Sequence, residues 1–384
     1  MNIVFLKLYI TNEVNDVFYN SQEMGMARAL VKAHPEHHVD IVLLSRTVSA
    51  RQDAIVASKG RDESGASSGD DRIVIHTLPG KGIGHHGIID LDILRELKAD
   101  LVHLLADNML YAPKLIDYCL ENNIKCHLYI GTLFTDSSDG LKQTISKLML
   151  GWNIRAYKKV PVYAKTPYVQ KQLNAQGVMA KLAPVGLPQE GLKVSDRDIY
   201  EIREHYGMPF NVKILLFVGR LEEYKRPIEA VELLKNLNDS GGNYHLLMIG
   251  DGVMASELDT RVKELGLQGS VRRIPKIPNS EMAEIYKACD FFINFNRVEI
   301  YGMAILEAMV GFCPVLAMRA PGPEFLIDDG KTGFLCDSET EMRKKIALLS
   351  KDDNLRQEIT GNAREHVVKD LTWDKTIEVF EDWK

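Results

Sequence analysis

The 384-residue chain is 45% hydrophobic and 26% charged, with 47 Lys and Arg against 53 Asp and Glu and a formal net charge of −6. That length exceeds a single ordinary core and predicts two domains of a soluble globular protein. The acidic balance excludes nucleic acid as a general partner, since no basic excess exists to displace counterions, and no apolar run approaches the roughly 20 residues that span a bilayer.

Asn2 to Ile10 is an apolar run that predicts a buried strand. It is too short for a secretory signal and lacks a small-residue cleavage site, so a cytoplasmic location is expected. Asn20-Ser21-Gln22-Glu23 has the spacing of a capping box and opens a helix through Lys32. His34, His37 and His38 follow. Pro35 breaks the helix and no second ligand group has suitable spacing, so the three are read as solvated and no metal site is expected.

Val39 to Leu44 predicts a second strand, residues 58–72 (SKGRDESGASSGDDR) a polar loop, and Ile73 to Leu78 a further strand. PGKGIGHHG reads as a flexible connection with solvated His85 and His86. ADLVHLL, a helix from about Pro113 to Asn122, and KCHLYIGTLFTD continue the alternation of short strands and helices that marks a parallel α/β sheet. Residues 141–159 place Leu141, Ile145, Leu148, Met149 and Trp152 at helical spacing, with Lys142, Lys147, Arg155, Lys158 and Lys159 around them. Packing on the sheet is the first expectation; the second is peripheral contact with an anionic membrane, the inner face of the plasma membrane. The five cysteines, at 119, 126, 289, 313 and 336, show neither CxxC spacing nor a disulfide-rich density and are read as reduced core thiols.

The domain boundary is placed in LPQEGLKVSD, residues 187–196. A second α/β pattern starts at Val212–Val218 and runs into Gly219-Arg220-Leu221, with Lys225 beyond. A buried strand ending in Gly admits a diphosphate close to the backbone, while Arg offers paired planar donors and Lys a point charge. Further strands end at Gly250 and Pro278. Cys289 to Asn294 then predicts a buried strand, and Met303 to Val310 a helix that Gly311 terminates. A strand feeding a helix through a tight turn at Gly302 aims the first helical N–H groups at an anion. Glu299 and Glu307 bracket that turn. Phosphate would repel both acids, so they are assigned to hydroxyls, and a ligand with phosphate in the middle and a sugar at each side is a nucleotide sugar.

Glu299, Tyr301-Gly302, Glu307-Ala308-Met309, Gly311, Pro314-Val315 and Gly330-Lys331-Thr332-Gly333-Phe334, in that order, resemble the donor-site signature of the retaining GT-B glycosyltransferases of family 4, the glycosyl transferases group 1. The resemblance is firm from about 212 to 337 and looser before 190. It implies an α/β GT-B fold, with two Rossmann-like doubly wound domains facing a cleft. Residues 1–190 would bind the acceptor and 191–364 the donor, while a C-terminal helix at about 365–384 crosses back onto the first domain. The resemblance makes Arg220 and Lys225 the clamp on the leaving diphosphate and gives Glu299 the sugar hydroxyls and Glu307 the ribose. Gly219, Gly250, Gly302, Met303, Ala304 and the backbone at Ile277 complete the donor site. Acceptor contacts are expected from Asn15, Asn20 and Thr132.

The chain departs from the family at several positions. TNEVNDVFYNSQEMG holds no paired glycines, Thr132-Leu133-Phe134-Thr135 stands where a histidine is usual, Val185 replaces an Asn, and Lys276 replaces a Gly. The function implied is transfer, with retention, from a nucleotide-diphosphate sugar, a UDP-sugar first among them, to a glycan, lipid-linked or small-molecule acceptor in glycoconjugate synthesis. No cofactor or metal is expected. The alternatives are a nucleotide-sugar epimerase and a non-catalytic nucleotide-sugar binding protein.

Overall fold

A computed structural model of the chain, describing residues 1–11, 21–57, 69–133 and 140–383, divides into two compact units. The first takes in the described residues up to Gly186 together with those from Trp373 onward, and the second runs from Leu187 to Thr372.

The first unit is built on strands β1 (Asn2–Thr11), β2 (His38–Ser45), β3 (Gln52–Ala57), β4 (Gly69–Pro79), β5 (Lys81–Ile83), β6 (His86–Ile88), β7 (Leu101–Leu105), β8 (Lys125–Ile130), β9 (Val162–Ala164) and β10 (Ala180–Leu182). Their order is β10-β9-β8-β7-β1-β2-β4-β3, parallel throughout except for β3, which is antiparallel to β4 at the edge. The PGKGIGHHG stretch, expected to be a flexible connection, forms the β5–β6 hairpin, which touches β1 at Tyr9 and His86. The helix after β1 starts one residue later than its capping box implies. Ser21 is the N-cap and accepts from the Met24 amide at 3.3 Å, which leaves Glu23 one residue short of the reciprocal position. Glu23 turns inward instead, where Lys7 pairs with it at 2.8 Å.

The segment from Trp373 to Trp383 packs into this first unit, so the return begins at Trp373, later than the expected 365; the preceding helix, Asp353–Asp370, stays in the second unit. The Trp373 indole fills the space above Gly25, where a Cβ would lie 2.3 Å from its Nε1. Phe380 and Trp383 cover an aromatic cluster of Phe5, Tyr129 and Tyr163 around the buried histidines 103 and 127. Asp382 accepts from His127 Nδ1 at 3.0 Å. Burial favours the neutral form of both rings, and a neutral His127 that donates from Nδ1 accepts at Nε2 from His103 Nδ1, 2.7 Å away. The same segment corrects the reading of His37 as solvated: its ring is buried and Nε2 meets the Trp383 carbonyl at 2.9 Å.

The second unit has one six-stranded parallel sheet made of β11 (Lys213–Val218), β12 (Tyr244–Ile249), β13 (Val271–Ile274), β14 (Phe291–Asn294), β15 (Val315–Met318) and β16 (Phe334–Cys336). Alternate residues feed two separate cores. Ile214, Leu216, Leu247, Phe292, Val315 and Leu335 face one, while Leu215, Phe217, Leu246, Phe291, Leu316 and Phe334 face the other. A sheet apolar on both faces needs helices on both, which is the doubly wound arrangement. The order β13-β12-β11-β14-β15-β16 reverses between β11 and β14. Ligands of open α/β sheets bind outside the strand ends at that reversal.

All five cysteines are free and buried. Among the described residues no helix is long and apolar enough to cross a membrane.

Candidate functional site

The segments leaving β11 and β14 meet at the reversal. Lys225 Nζ, from the turn after β11, lies 2.6 Å from Glu299 Oε2, from the loop after β14, with the two side chains 21% and 15% exposed. Asn296 also donates to that oxygen, at 3.0 Å, and is itself fixed by a chain of Asx contacts: Asn294 Oδ1 takes the Asn296 amide and Asn296 Oδ1 the Val298 amide. The Glu299 carbonyl accepts from the Gly322 amide at 2.7 Å, which anchors the loop at its far end. The carboxylate is thus held by its neighbours on several sides before any ligand is considered.

Gly302 is the N-cap of the Met303–Val310 helix, with φ +105, and a Cβ there would lie 2.9 Å from Ile305 Cδ1 and 3.5 Å from Glu299 Cγ. Only glycine takes that conformation without strain. Gly302 offers the helix no side-chain cap, and the amides of Met303 and Ala304 are donors of its first turn, which has no intrahelical partners for them. Glu307, further along the helix, accepts at 2.9 Å from the hydroxyl of Tyr286, whose titration burial and the neighbouring Glu307 push well above the usual phenol range. A carboxylate that keeps a neutral donor on one oxygen suits a hydroxyl ligand better than a phosphate.

After β11 the Gly219 carbonyl approaches Gly250 so closely that a Cβ on Gly250, where φ is +143, would lie 1.9 Å from it. Gly219, Arg220 and Gly250 therefore border the same strand ends. Arg220 is 70% exposed and spends its donors locally, on Glu222 at 2.9 Å and on the Tyr224 hydroxyl. Tyr224 was not singled out from the sequence. Its ring lies 5.7 Å from the Arg220 guanidinium carbon and 5.3 Å from Lys225 Nζ, so one aromatic spaces the two cations. Asn296 was also missed. Both lie inside motifs that were read, at positions where aromatic and amide residues carry no distinctive spacing. Ile277, buried beyond β13, completes the set.

In the first unit, Asn15 and Asn20 fall outside the described residues. Thr132 follows β8, and its amide, with that of Gly131, is taken by Asp107 Oδ1 at 3.2 and 2.5 Å. Beside them Lys165, 9% exposed after β9, reaches Gln22 Oε1 at 3.1 Å and the Tyr129 ring at 4.7 Å. Asp107, Lys165, Gln22 and the Lys7–Glu23 pair thus surround the C-terminal ends of β1, β7, β8 and β9. Sequence reading named Thr132 alone as an acceptor contact, because the others come from four separate segments. His85 is exposed and stacks on Tyr9, while His86 is half-buried and held below the usual histidine range by burial and by His85.

The chain is similar to known glycosyltransferases. The family described as Glycosyl transferases group 1 matches residues 198–366. The D-inositol 3-phosphate glycosyltransferase of Corynebacterium jeikeium is 30% identical over 195 residues, 48% of this chain and 46% of that relative. The alpha-monoglucosyldiacylglycerol synthase of Streptococcus pneumoniae is 26% identical over 325 residues, 80% of this chain and 64% of that relative. The chain thus spans less than two thirds of either relative's length. The crystal structure of Anabaena HepE in complex with UDP and glucose superposes with a TM-score of 0.71 at 16% identity, covering 98% of this chain and 97% of HepE. The fold is that of the GT-B glycosyltransferases.

Proposed function

Because residues 198–366 belong to the group 1 glycosyl transferases, we propose that the chain is a retaining glycosyltransferase that moves a sugar from a nucleotide-diphosphate sugar to an acceptor hydroxyl. The observation that carries this is the Lys225–Glu299 pair, 2.6 Å apart at the sheet reversal, where a cation for phosphate and an acid for sugar hydroxyls adjoin at an uncapped helix start. HepE binds UDP in its crystal structure, and a UDP-sugar is the donor proposed here.

In the mechanism, Arg220 presents paired donors to the diphosphate, Lys225 adds a point charge, and the Met303 and Ala304 amides add helix-start donors. As the bond from the sugar carbon to the phosphate oxygen lengthens, negative charge builds on that oxygen and all of these stabilise it. The sugar becomes cation-like. An acceptor hydroxyl arriving on the same face forms the new bond and passes its proton to the departing phosphate oxygen, so no protein base is required. Glu299, already accepting from Lys225 and Asn296, orients sugar hydroxyls and forms no covalent intermediate. Glu307 holds the ribose, and Gly219, Gly250 and the Ile277 backbone border the nucleotide. No metal takes part in this route, since the two cations and the helix start supply the charge that a divalent ion supplies elsewhere.

The acceptor is taken by the first unit, at the strand ends that carry Thr132, Asp107 and Lys165. A lipid-linked acceptor is favoured by the Gly140–Tyr157 helix. Met149, Leu150, Ile154 and Tyr157 are buried, whereas Ile145, Leu148 and Trp152 are 55, 67 and 62% exposed on a face shared with exposed Lys147 and Arg155. Of the stripe read in the sequence Met149 is buried, whereas Ile145, Leu148 and Trp152 are not, and the packing role is shared by Leu150, Ile154 and Tyr157. We place this second face on an anionic lipid surface, peripheral to the cytoplasmic leaflet.

The test is product analysis. Proton NMR of the first-formed product from an α-linked donor should show an α-linkage, with nucleotide release dependent on acceptor. A β-linked product sinks the mechanism; acceptor-independent binding without nucleotide release leaves a sensor, and a donor altered at a sugar carbon an epimerase.

A further inference from the structure

The turn after the first helix carries chemistry that sugar transfer does not use. His34 caps the Gln22–Ala33 helix, and the His37 amide bonds back to the His34 carbonyl at 3.0 Å, closing the turn. Arg72 clasps the same turn from outside, donating to the Val31 carbonyl at 2.9 Å and to Pro35 at 3.5 Å. The turn stacks the imidazoles of His34 and His37 nearly parallel, 5.2 Å between centroids and 11° between planes. Glu36 Oε1 lies between them, 3.7 Å from His34 Nδ1 and 3.5 Å from His37 Nδ1.

The buried ring of His37 fixes its own tautomer. Nε2 lies 2.9 Å from the Trp383 carbonyl, which can only accept, so Nε2 carries the proton and Nδ1 presents a lone pair toward Glu36. A ring that donates one N–H to a backbone carbonyl while turning its other nitrogen toward a carboxylate and a second imidazole has the outer-shell arrangement of a metal-bound histidine. The Met1 amine, 3.3 Å from that lone pair, is its present partner.

We propose that His34, Glu36 and His37 form a binding site for a divalent first-row transition ion of the zinc type. Two nitrogens and one carboxylate oxygen are the donor set such ions favour, whereas magnesium prefers oxygen alone. Tetrahedral coordination at ~2.0–2.1 Å sets donor atoms roughly 3.4 Å apart. The three donors lie within 4.8 Å of one another, and two of the separations are 3.5 and 3.7 Å, so rotation of the exposed Glu36 and half-buried His34 side chains closes the site. The C-terminal end of the preceding helix adds negative dipole. Lys32, the nearest lysine in sequence, is engaged by Asp374 at 3.3 Å. The role is structural. An ion on Nδ1 makes the Nε2 proton a stronger donor to the Trp383 carbonyl and so ties the terminal segment to the turn.

Titration of untagged, metal-stripped protein with zinc chloride against a chromophoric chelator should show one saturable equivalent that is lost, or weakened at least tenfold, in both His34→Ala and Glu36→Gln. Glu36→Gln is a surface substitution, and His34→Ala removes the ring stacked on His37 while leaving the bond from His37 Nε2 to the Trp383 carbonyl in place. Zinc should raise the unfolding midpoint of the wild type but not of His34→Ala. Stoichiometry unchanged between wild type and both variants, an equal midpoint shift in all three, or the same shift with magnesium would overturn the proposal.

Discussion

Replacing Lys225 with Ala puts the proposed clamp at risk most directly. The pair with Glu299 stands between two limits, at 21% and 15% exposure. At the surface an ion pair contributes ~0–1 kcal/mol, whereas stripping one partner from a buried pair costs ~3–5 kcal/mol because the other charge is stranded. Asn296 stays on Glu299 at 3.0 Å after the substitution, so a folding loss of ~1–2 kcal/mol, toward the lower limit, is expected. The loss in the transition state should be larger, ~2.7–4 kcal/mol or about 10²–10³-fold in turnover, on the scale of one preorganised donor at a developing oxyanion. Nucleotide release at saturating and limiting donor separates the two effects. If Lys225 acts on charge that builds during reaction, kcat falls by more than KM rises. Arg220→Ala should behave alike without a stability change, since that side chain is 70% exposed. Refutation takes either of two forms: turnover in Lys225→Ala within a few-fold of wild type, or recovery of turnover when Glu299 is also made apolar, as expected of a merely structural pair.

Three further outcomes follow from the same structure. Acidification from about pH 7 to 5 should lower the unfolding midpoint. Burial first, then His127 and Lys165, hold His103 well below the usual histidine range, and burial lowers His127 against the pull of Asp382. The unfolded chain therefore binds protons that the folded one refuses, and stability drops as pH falls through the unfolded value. His76 opposes this, because Asp40 and Asp53 outweigh burial and raise it, but a midpoint that rises on acidification would contradict the neutral pair. Turnover should persist in excess chelator, measured well below the unfolding midpoint, with magnesium or manganese adding nothing; complete loss restored by either ion would refute the metal-free route. Sedimentation with phosphatidylglycerol vesicles should weaken as salt rises and fall in Trp152→Ser; no binding at low salt refutes the lipid face.

The second unit was readable because its signals are local. Val212–Val218 running into Gly219-Arg220 is a strand and its ligand-facing end in one short stretch, and the Gly302 turn lies between a strand and a helix that each announce themselves. The first unit disperses its information. His37 looks like a solvated loop histidine until Trp383, 346 residues away, closes over it. Likewise Glu23 reads as a capping residue because the motif is indifferent to a one-residue slip, while burial against Lys7 is not. The Gly140–Tyr157 helix has two apolar faces, and helical spacing identifies a face without saying which one the sheet covers.

The Trp373 ring over Gly25 bears on biosynthesis. A ribosome delivers residues 1–186 first, yet their hydrophobic interior waits for a plug made from 373–383. The strands of the second unit, all drawn from 213–336, are complete before that plug exists. N-terminal domains usually finish folding first during translation, whereas here the first unit receives its last segment only after the strands of the second have been made. A nascent chain stalled after Thr372 would present a finished second unit beside an unsealed first one, its Gly25 groove and aromatic pocket open to chaperones or to the plug of another copy.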